Sequence, residues 1–201
     1  MSSRQFRDAV HRVRSQLTPP ERPVQRPALI ILSGLPGTGK STLAQNLSTA
    51  LPAIVIQSDL VRTILFPQPT FSDAENRRIH AVARALMRHF LKAGHFVIAD
   101  STNLIERHRQ TLLQLAKSAA VPALIVQTSA PAEVVKRRLS RRFTRRVAYD
   151  LSTADWQVYL LLSATVEPIG VPHLRVDTTR DLESAVQRIV RAVRRTSRTP
   201  V

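Results

Sequence analysis

There is no cysteine among the 201 residues. That excludes disulfides, thiolate metal sites and cysteine nucleophiles, and it fits a reducing compartment. No apolar run reaches eighteen residues, so no membrane-spanning helix is expected. The N-terminus lacks the apolar core of a secretory signal, and a cytoplasmic location is the expectation. Neither a G-x-S-x-G elbow nor an H-E-x-x-H metal motif is present, and the six histidines do not cluster with metal-ligand spacing. Acidic residues are scarce: 14 Asp and Glu stand against 30 Lys and Arg, a formal net charge of +16. Lysine occurs only at positions 40, 92, 117 and 136, so the charge is mostly arginine. A charge of this size attracts polyanions at long range, which makes nucleic acid one expected partner. A solvated arginine-rich surface accounts for the same composition. The length suits one domain with a buried core.

Glycine is also sparse, with five in the chain, yet three fall in Gly34-Leu35-Pro36-Gly37-Thr38-Gly39-Lys40-Ser41. This stretch satisfies G-x-x-x-x-G-K-[ST], the phosphate-binding loop. Ala28 to Leu32 before it suits a buried parallel strand, and Ser41 to Leu51 after it has Leu43, Leu47 and Ala50 at helical spacing. Glycines let the backbone approach an anion closely, and the helix N-terminus adds partial positive charge. Lys40 supplies a point charge for the outer phosphates, and the Ser41 hydroxyl suits a Mg²⁺ bridging phosphate oxygens. The expected nucleotide contacts are Gly34, Leu35, Pro36, Gly37, Thr38, Gly39, Lys40, Ser41 and Thr42.

Around this loop the chain alternates strand and helix. Residues 3 to 17 form a basic helix with Phe6, Val10, Val13 and Leu17 as its apolar stripe, expected to pack on the domain. Thr18 to Pro27 is a proline-rich linker. Ala53 to Gln57 is a second strand. Ser72 to Glu75 is a capping-box signature opening a long helix with Ile79, Val82, Ala83, Leu86 and Phe90 inward. Arg84, Arg88 and Lys92 share another face that reads as solvated surface; His80 and His89 read as surface or core-edge residues. Further strands fall at residues 95–99, 123–127 and 174–177, each followed by a helix. The expected fold is therefore α/β: a five-stranded parallel sheet with helices on both faces. The α/β domain is expected to span 28–195, with a basic segment at 1–27 and a tail at 196–201.

In open parallel sheets, ligands sit beyond the carboxyl ends of the strands. Asp59 follows the second strand, as candidate base for an acceptor hydroxyl or as a mere cap of a helix starting at Leu60. Arg62, three residues on, faces an anionic group of the acceptor or pairs with Asp59. Asp100 follows the third strand, as a partner of the Mg²⁺ shell or of the loop after it. Lys136 to Arg146 is the most basic stretch. Arg137 and Arg141 share a face where an anion relieves their repulsion, so an arginine-rich lid is expected over about residues 137–153.

Three segments then occur in a telling order: Ser33 to Leu43, Ser58 to Arg62, and Val97 to Asn103. Val134 to Arg137, with Arg141, follows. The set resembles the zeta-toxin and polynucleotide 5′-kinase group of P-loop kinases, often labelled AAA-type ATPases, over roughly residues 28–193. The resemblance implies a P-loop NTPase three-layer sandwich with the phosphate-loop strand central. It implies that Asp59 activates the acceptor, that Arg62 contacts an acceptor phosphate, and that Arg137 and Arg141 embrace the ATP phosphates. The expected activity is transfer of the ATP γ-phosphate, with Mg²⁺, to a polynucleotide 5′-hydroxyl. The alternatives are a small-molecule kinase acting on a sugar, nucleoside or antibiotic, and a nucleotide-gated nucleic-acid-binding ATPase. Oligomeric state is not set by the sequence. If the acceptor is a polynucleotide held through six or more phosphates, its affinity falls by about 10³ or more between 50 and 200 mM salt. Fluorescence anisotropy of a labelled oligonucleotide reads this, and a neutral metabolite shows almost no salt dependence.

Overall fold

The computed structural model describes residues 2–142 and 151–196. Five short segments make the sheet: β1 Leu29–Ser33, β2 Ala53–Gln57, β3 Phe96–Asp100, β4 Ala123–Ser129 and β5 His173–Asp177. Their order is β2-β3-β1-β4-β5, and every neighbouring pair is parallel. Leu29 of β1 faces Val97 on one side and Ala123 on the other, so β1 is central, with neighbours on both edges. All five of its residues are buried. A strand covered on both faces has no use for polar alternation, which is why β1 reads as a continuous apolar run.

Alternate residues of β1 feed two separate cores. Leu29 and Ile31 join a cluster with α1 Ser3–Arg14, α3 Ser58–Leu65, α4 Asp73–Lys92 and α5 Glu106–Ser118. Ile30 and Leu32 join a second cluster with α2 Lys40–Ala50 and α8 Leu182–Thr196. The result is the three-layer α/β sandwich expected from the sequence. Each fully buried Leu or Ile contributes roughly 1.5–3 kcal/mol. The remaining helices are α6 Ala132–Arg142 and α7 Trp156–Ser163. Among the described residues no helix is long and apolar enough to cross a membrane.

Local signals account for most helix starts. α1 carries a complete capping box, with Gln5 Oε1 accepting from the Ser2 N–H at 2.9 Å. Its Ala9 and Val13 are buried, Phe6, Val10 and Leu17 pack on the same core, and Arg12 donates to the Ile64 carbonyl at 2.6 Å. The basic N-terminal helix therefore lies on the domain. α4 uses half of its box. Ser72 Oγ accepts from the Glu75 N–H, but the Glu75 carboxylate turns away to accept from the N–H groups of Thr70 and Phe71 at 3.0 and 2.9 Å. α3 starts at Ser58, two residues before the expected Leu60, with Gln57 at the N-cap position and no side-chain cap. The expected lid is described only in part. α6 carries Arg137, Arg138, Arg141 and Arg142, residues 143–150 lie outside the described residues, and so do residues 197–201 of the tail.

One buried arginine fastens the fold near the strand ends. Arg109 of α5 is 1 % exposed and donates to the carbonyls of Asn103, Leu104, Glu167 and Pro168. Its pair with Glu106, at 2.7 Å, completes the guanidinium. The side chain ties the loop after β3 to the segment after α7. Arg109→Leu leaves those carbonyls buried and unpaired, so we expect a loss of about 3–5 kcal/mol, read as a drop in the urea midpoint.

Candidate active site

The site is built where β1 stops. Gly34 leaves the strand at φ +154, and its N–H donates to the Thr102 carbonyl at 2.9 Å. A Cβ at this position would sit 2.7 Å from the Thr128 carbonyl oxygen, so no side chain fits between the first loop residue and β4. Gly39 ends the loop at φ +87 and serves as the N-cap of α2. No side chain caps this helix, and no acidic residue occupies its first turn. Its first N–H groups are thus left for an anion, with the helix dipole behind them. The whole stretch from Gly34 to Thr42 takes the strand–loop–helix arrangement that the motif requires.

Lys40 is 9 % exposed and donates from Nζ to the Leu35 carbonyl at 3.0 Å, arching back over the loop. Asp100 ends β3 beside it and is 5 % exposed. Burial pushes the Asp100 carboxyl above its ordinary value, while Lys40 and the Ser41 hydroxyl bond pull it down and the Asp59 charge pushes it up again. Gln57 donates to Asp100 Oδ2 at 3.3 Å. A hydroxyl and a buried carboxylate side by side form an all-oxygen donor pair, the kind that suits a hard cation sharing its shell with phosphates and water. Among the described residues no group of three or more His, Cys, Asp or Glu gathers as a metal cage.

Asp59 lies inside the first turn of α3 and caps nothing. With Arg62 it lines a recess of about 180 Å³ walled by Phe66, Phe71 and Leu151. Arg62 does not pair with Asp59. Its Nη2 donates to Asn76 Oδ1 at 2.7 Å, its Nη1 lies 3.6 Å from Glu75, and the guanidinium stacks 4.7 Å above the Phe71 ring. The buried Nε and Nη1 of Arg62 make no hydrogen bond, and Nη1 faces Glu75. Arg137 and Arg141 are exposed on α6. The arginine of this helix that touches the phosphate loop is Arg138, which donates to the Gly37 carbonyl at 3.4 Å and to Thr178 at 2.8 and 2.9 Å.

Sequence reasoning missed the clamp that fixes the loop from behind. Thr38 Oγ1 meets Thr128 Oγ1 at 2.8 Å, and Thr178 Oγ1 donates to the Thr38 carbonyl at 2.9 Å. Asn103 donates to the Leu32 carbonyl at 2.7 Å from a left-handed backbone, φ 44. These partners are 71 to 140 residues apart. No local signal announces them, although Asn at φ > 0 is a recognised preference.

The raised Asp100 pKa sets a stability prediction. The native state holds the proton more tightly than the unfolded chain does. The resulting deficit appears as pH rises above the unfolded value near 3.8 and is complete above the native one. Asp100→Asn removes that deficit. Without nucleotide at pH 7.5 its melting temperature should rise. The gain should vanish at pH 3.5, and calorimetry at the two pH values checks both signs.

Comparison with known proteins agrees with this geometry. The chain is 29 % identical over 176 residues to an adenylyl-sulfate kinase of Pseudomonas aeruginosa, covering 83 % of this chain and 85 % of that one. It is 28 % identical over 115 residues to an L-seryl-tRNA(Sec) kinase of Methanococcus maripaludis, covering 55 % of this chain and 44 % of the relative. Among solved structures, Chaetomium thermophilum Kti12 in complex with ADP-AlF3 superposes with a TM-score of 0.70 at 22 % identity, over 85 % of this chain and all of that one. The profile described as an AAA domain matches residues 29–168. With its loop, buried lysine and central strand in place, the chain belongs to this AAA-domain family and is a phosphate-loop kinase.

Proposed function

We propose that the protein transfers the γ-phosphoryl group of ATP to an alcohol, with Asp59 as the group that orients and deprotonates it. The observation that carries this reading is the position of Asp59. Its carboxylate caps no helix, lines a recess open to a ligand, and lies close enough to Asp100 for the two charges to interact. A hydroxyl seated between Asp59 and the terminal phosphorus would be aligned for in-line attack, and its proton would pass to a carboxylate oxygen of Asp59.

Lys40 and the loop amides would hold the phosphates. Ser41 and Asp100 would hold Mg²⁺, which when bound neutralises charge on the phosphate oxygens. Arg137 and Arg141, both exposed on α6, are the proposed lid arginines. Arg138 is tied to Thr178 and supports the loop from its own side.

A small molecule is the better-supported acceptor. The recesses beside Asp59 are the size of one small group rather than a strand, and one curated relative is an adenylyl-sulfate kinase. The net charge of +16 favours the second reading, a polynucleotide 5′-hydroxyl, in line with the resemblance to polynucleotide 5′-kinases. Asp59→Asn should lower kcat by about 10²–10⁴ and leave the affinity for ATP within about twofold. Single-turnover transfer from labelled ATP and isothermal calorimetry read the two separately. Unchanged turnover would instead mark an ATPase switch.

A further inference from the structure

A second cavity opens at the same rim, between α4 and α5, with a volume of about 320 Å³. Ser58 and Ser101 line it, each next in sequence to one of the two site carboxylates. Its floor is apolar, made by Ile56 of β2 and Ala99 of β3. Its walls are basic: Arg77, His80 and Arg84 come from α4, and Arg107 and His108 from α5. No carboxylate lines it, and among the described residues none lies within ion-pair distance of the three arginines. The spacing 77–80–84 puts two arginines and a histidine on one face of α4. A cavity with an apolar floor and walls of one sign of charge is costly unless a ligand of the opposite sign enters it.

We propose that this cavity binds the phosphate or sulfate ester of a small anionic acceptor, whose hydroxyl is thereby presented to Asp59. The proposal rests on the kinase reading for the hydroxyl transfer, and on the cavity alone for the anion. Three guanidiniums suit a tetrahedral dianion better than a single carboxylate. The volume admits one such group with a small body and no polymer.

The two imidazoles add a pH dependence. Their rings lie 5.2 Å apart, centroid to centroid. Burial, then His108, Arg84 and Arg62, depress His80 to about 4. Burial, then Arg107 and Arg84, depress His108, with Glu167 opposing. Both rings are therefore neutral at pH 7 in the empty cavity, and a bound dianion favours their protonated forms. Anion binding takes up protons, so affinity rises as pH falls.

Sulfate is the probe, because it stays dianionic across the range, and AMPPNP keeps the phosphate loop filled. Imidazole ¹⁵N spectra should show His80 and His108 shifting with sulfate while His11 and His173 stand still. Affinity should be about tenfold tighter at pH 5 than at pH 7 if His80 returns near its ordinary value. Arg84→Met should weaken sulfate at least tenfold, and so should Arg107→Met, an exposed position whose loss does not threaten folding. Arg191→Met on α8, a control for general charge, should not. Stationary His80 and His108 signals, a flat pH profile, or equal losses in the Arg84 and Arg191 variants would overturn the site. Phosphoryl transfer to a neutral sugar that ignores Arg84→Met would also overturn it and leave the kinase reading intact. Sulfate bound as described, without transfer to any phosphorylated or sulfated alcohol, would uphold the site and remove the acceptor reading. A 5′-hydroxyl oligonucleotide that competes with sulfate would overturn the small-molecule assignment.

Discussion

The buried pair of charges at the tip of the central strands governs this structure. Lys40 and Asp100 are both at least nine-tenths buried, one at the head of α2 and the other at the end of β3. Lys40 donates to the Leu35 carbonyl, and Asp100 accepts from Gln57. Burial disfavours the charged carboxylate, and the lysine only partly offsets it. The first turn of α2 adds N–H groups that no side chain caps. A phosphate chain answers all three demands at once, by pairing with the lysine, filling the helix terminus and bringing a cation to the carboxylate.

Strand order turns that local chemistry into a reaction centre. Because β1 sits between β3 and β4, the phosphate loop has Asp100 on one flank and the Thr128 and Thr178 hydroxyls on the other. β2 lies one strand further out, so α3 and Asp59 stand at the same end of the sheet, beyond Asp100. α4 and α5 cover the same end of the sheet and bring five basic side chains to one cavity. The loop side is closed by backbone and threonine contacts, and the cavity between α4 and α5 is lined by arginine and histidine.

Much of this was legible in the chain. Strands β1 to β5 were marked by short apolar runs, and the loop by a motif with a mechanical reason for each residue. The start of α3 was not, because Ser58 and Asp59 look like caps, and only the extended Gln57 backbone shows that the helix has already begun. The helix spacing that grouped Arg137 with Arg141 did not say which face meets the loop. Burial of Val135 and Leu139 sets that face and brings Arg138 to Gly37. Arg84 read as solvated surface because its partners His108 and Arg107 are more than twenty residues away, on a different helix. Capping, periodicity and motif are local and visible. Cavities and clamps arise from pairings between distant segments, and one sequence carries no mark of them.

The central claim is that Asp59 faces the terminal phosphoryl group across the width of one hydroxyl. A crystal structure with Mg²⁺ and AMPPNP measures this directly. The account predicts a carboxylate oxygen of Asp59 about 6 Å from the γ-phosphorus, one hydrogen bond plus one near-attack distance, with a water in the gap where the acceptor oxygen belongs. An Asp59 side chain turned outward, or bonded to the protein with no space between it and the phosphorus, would contradict it.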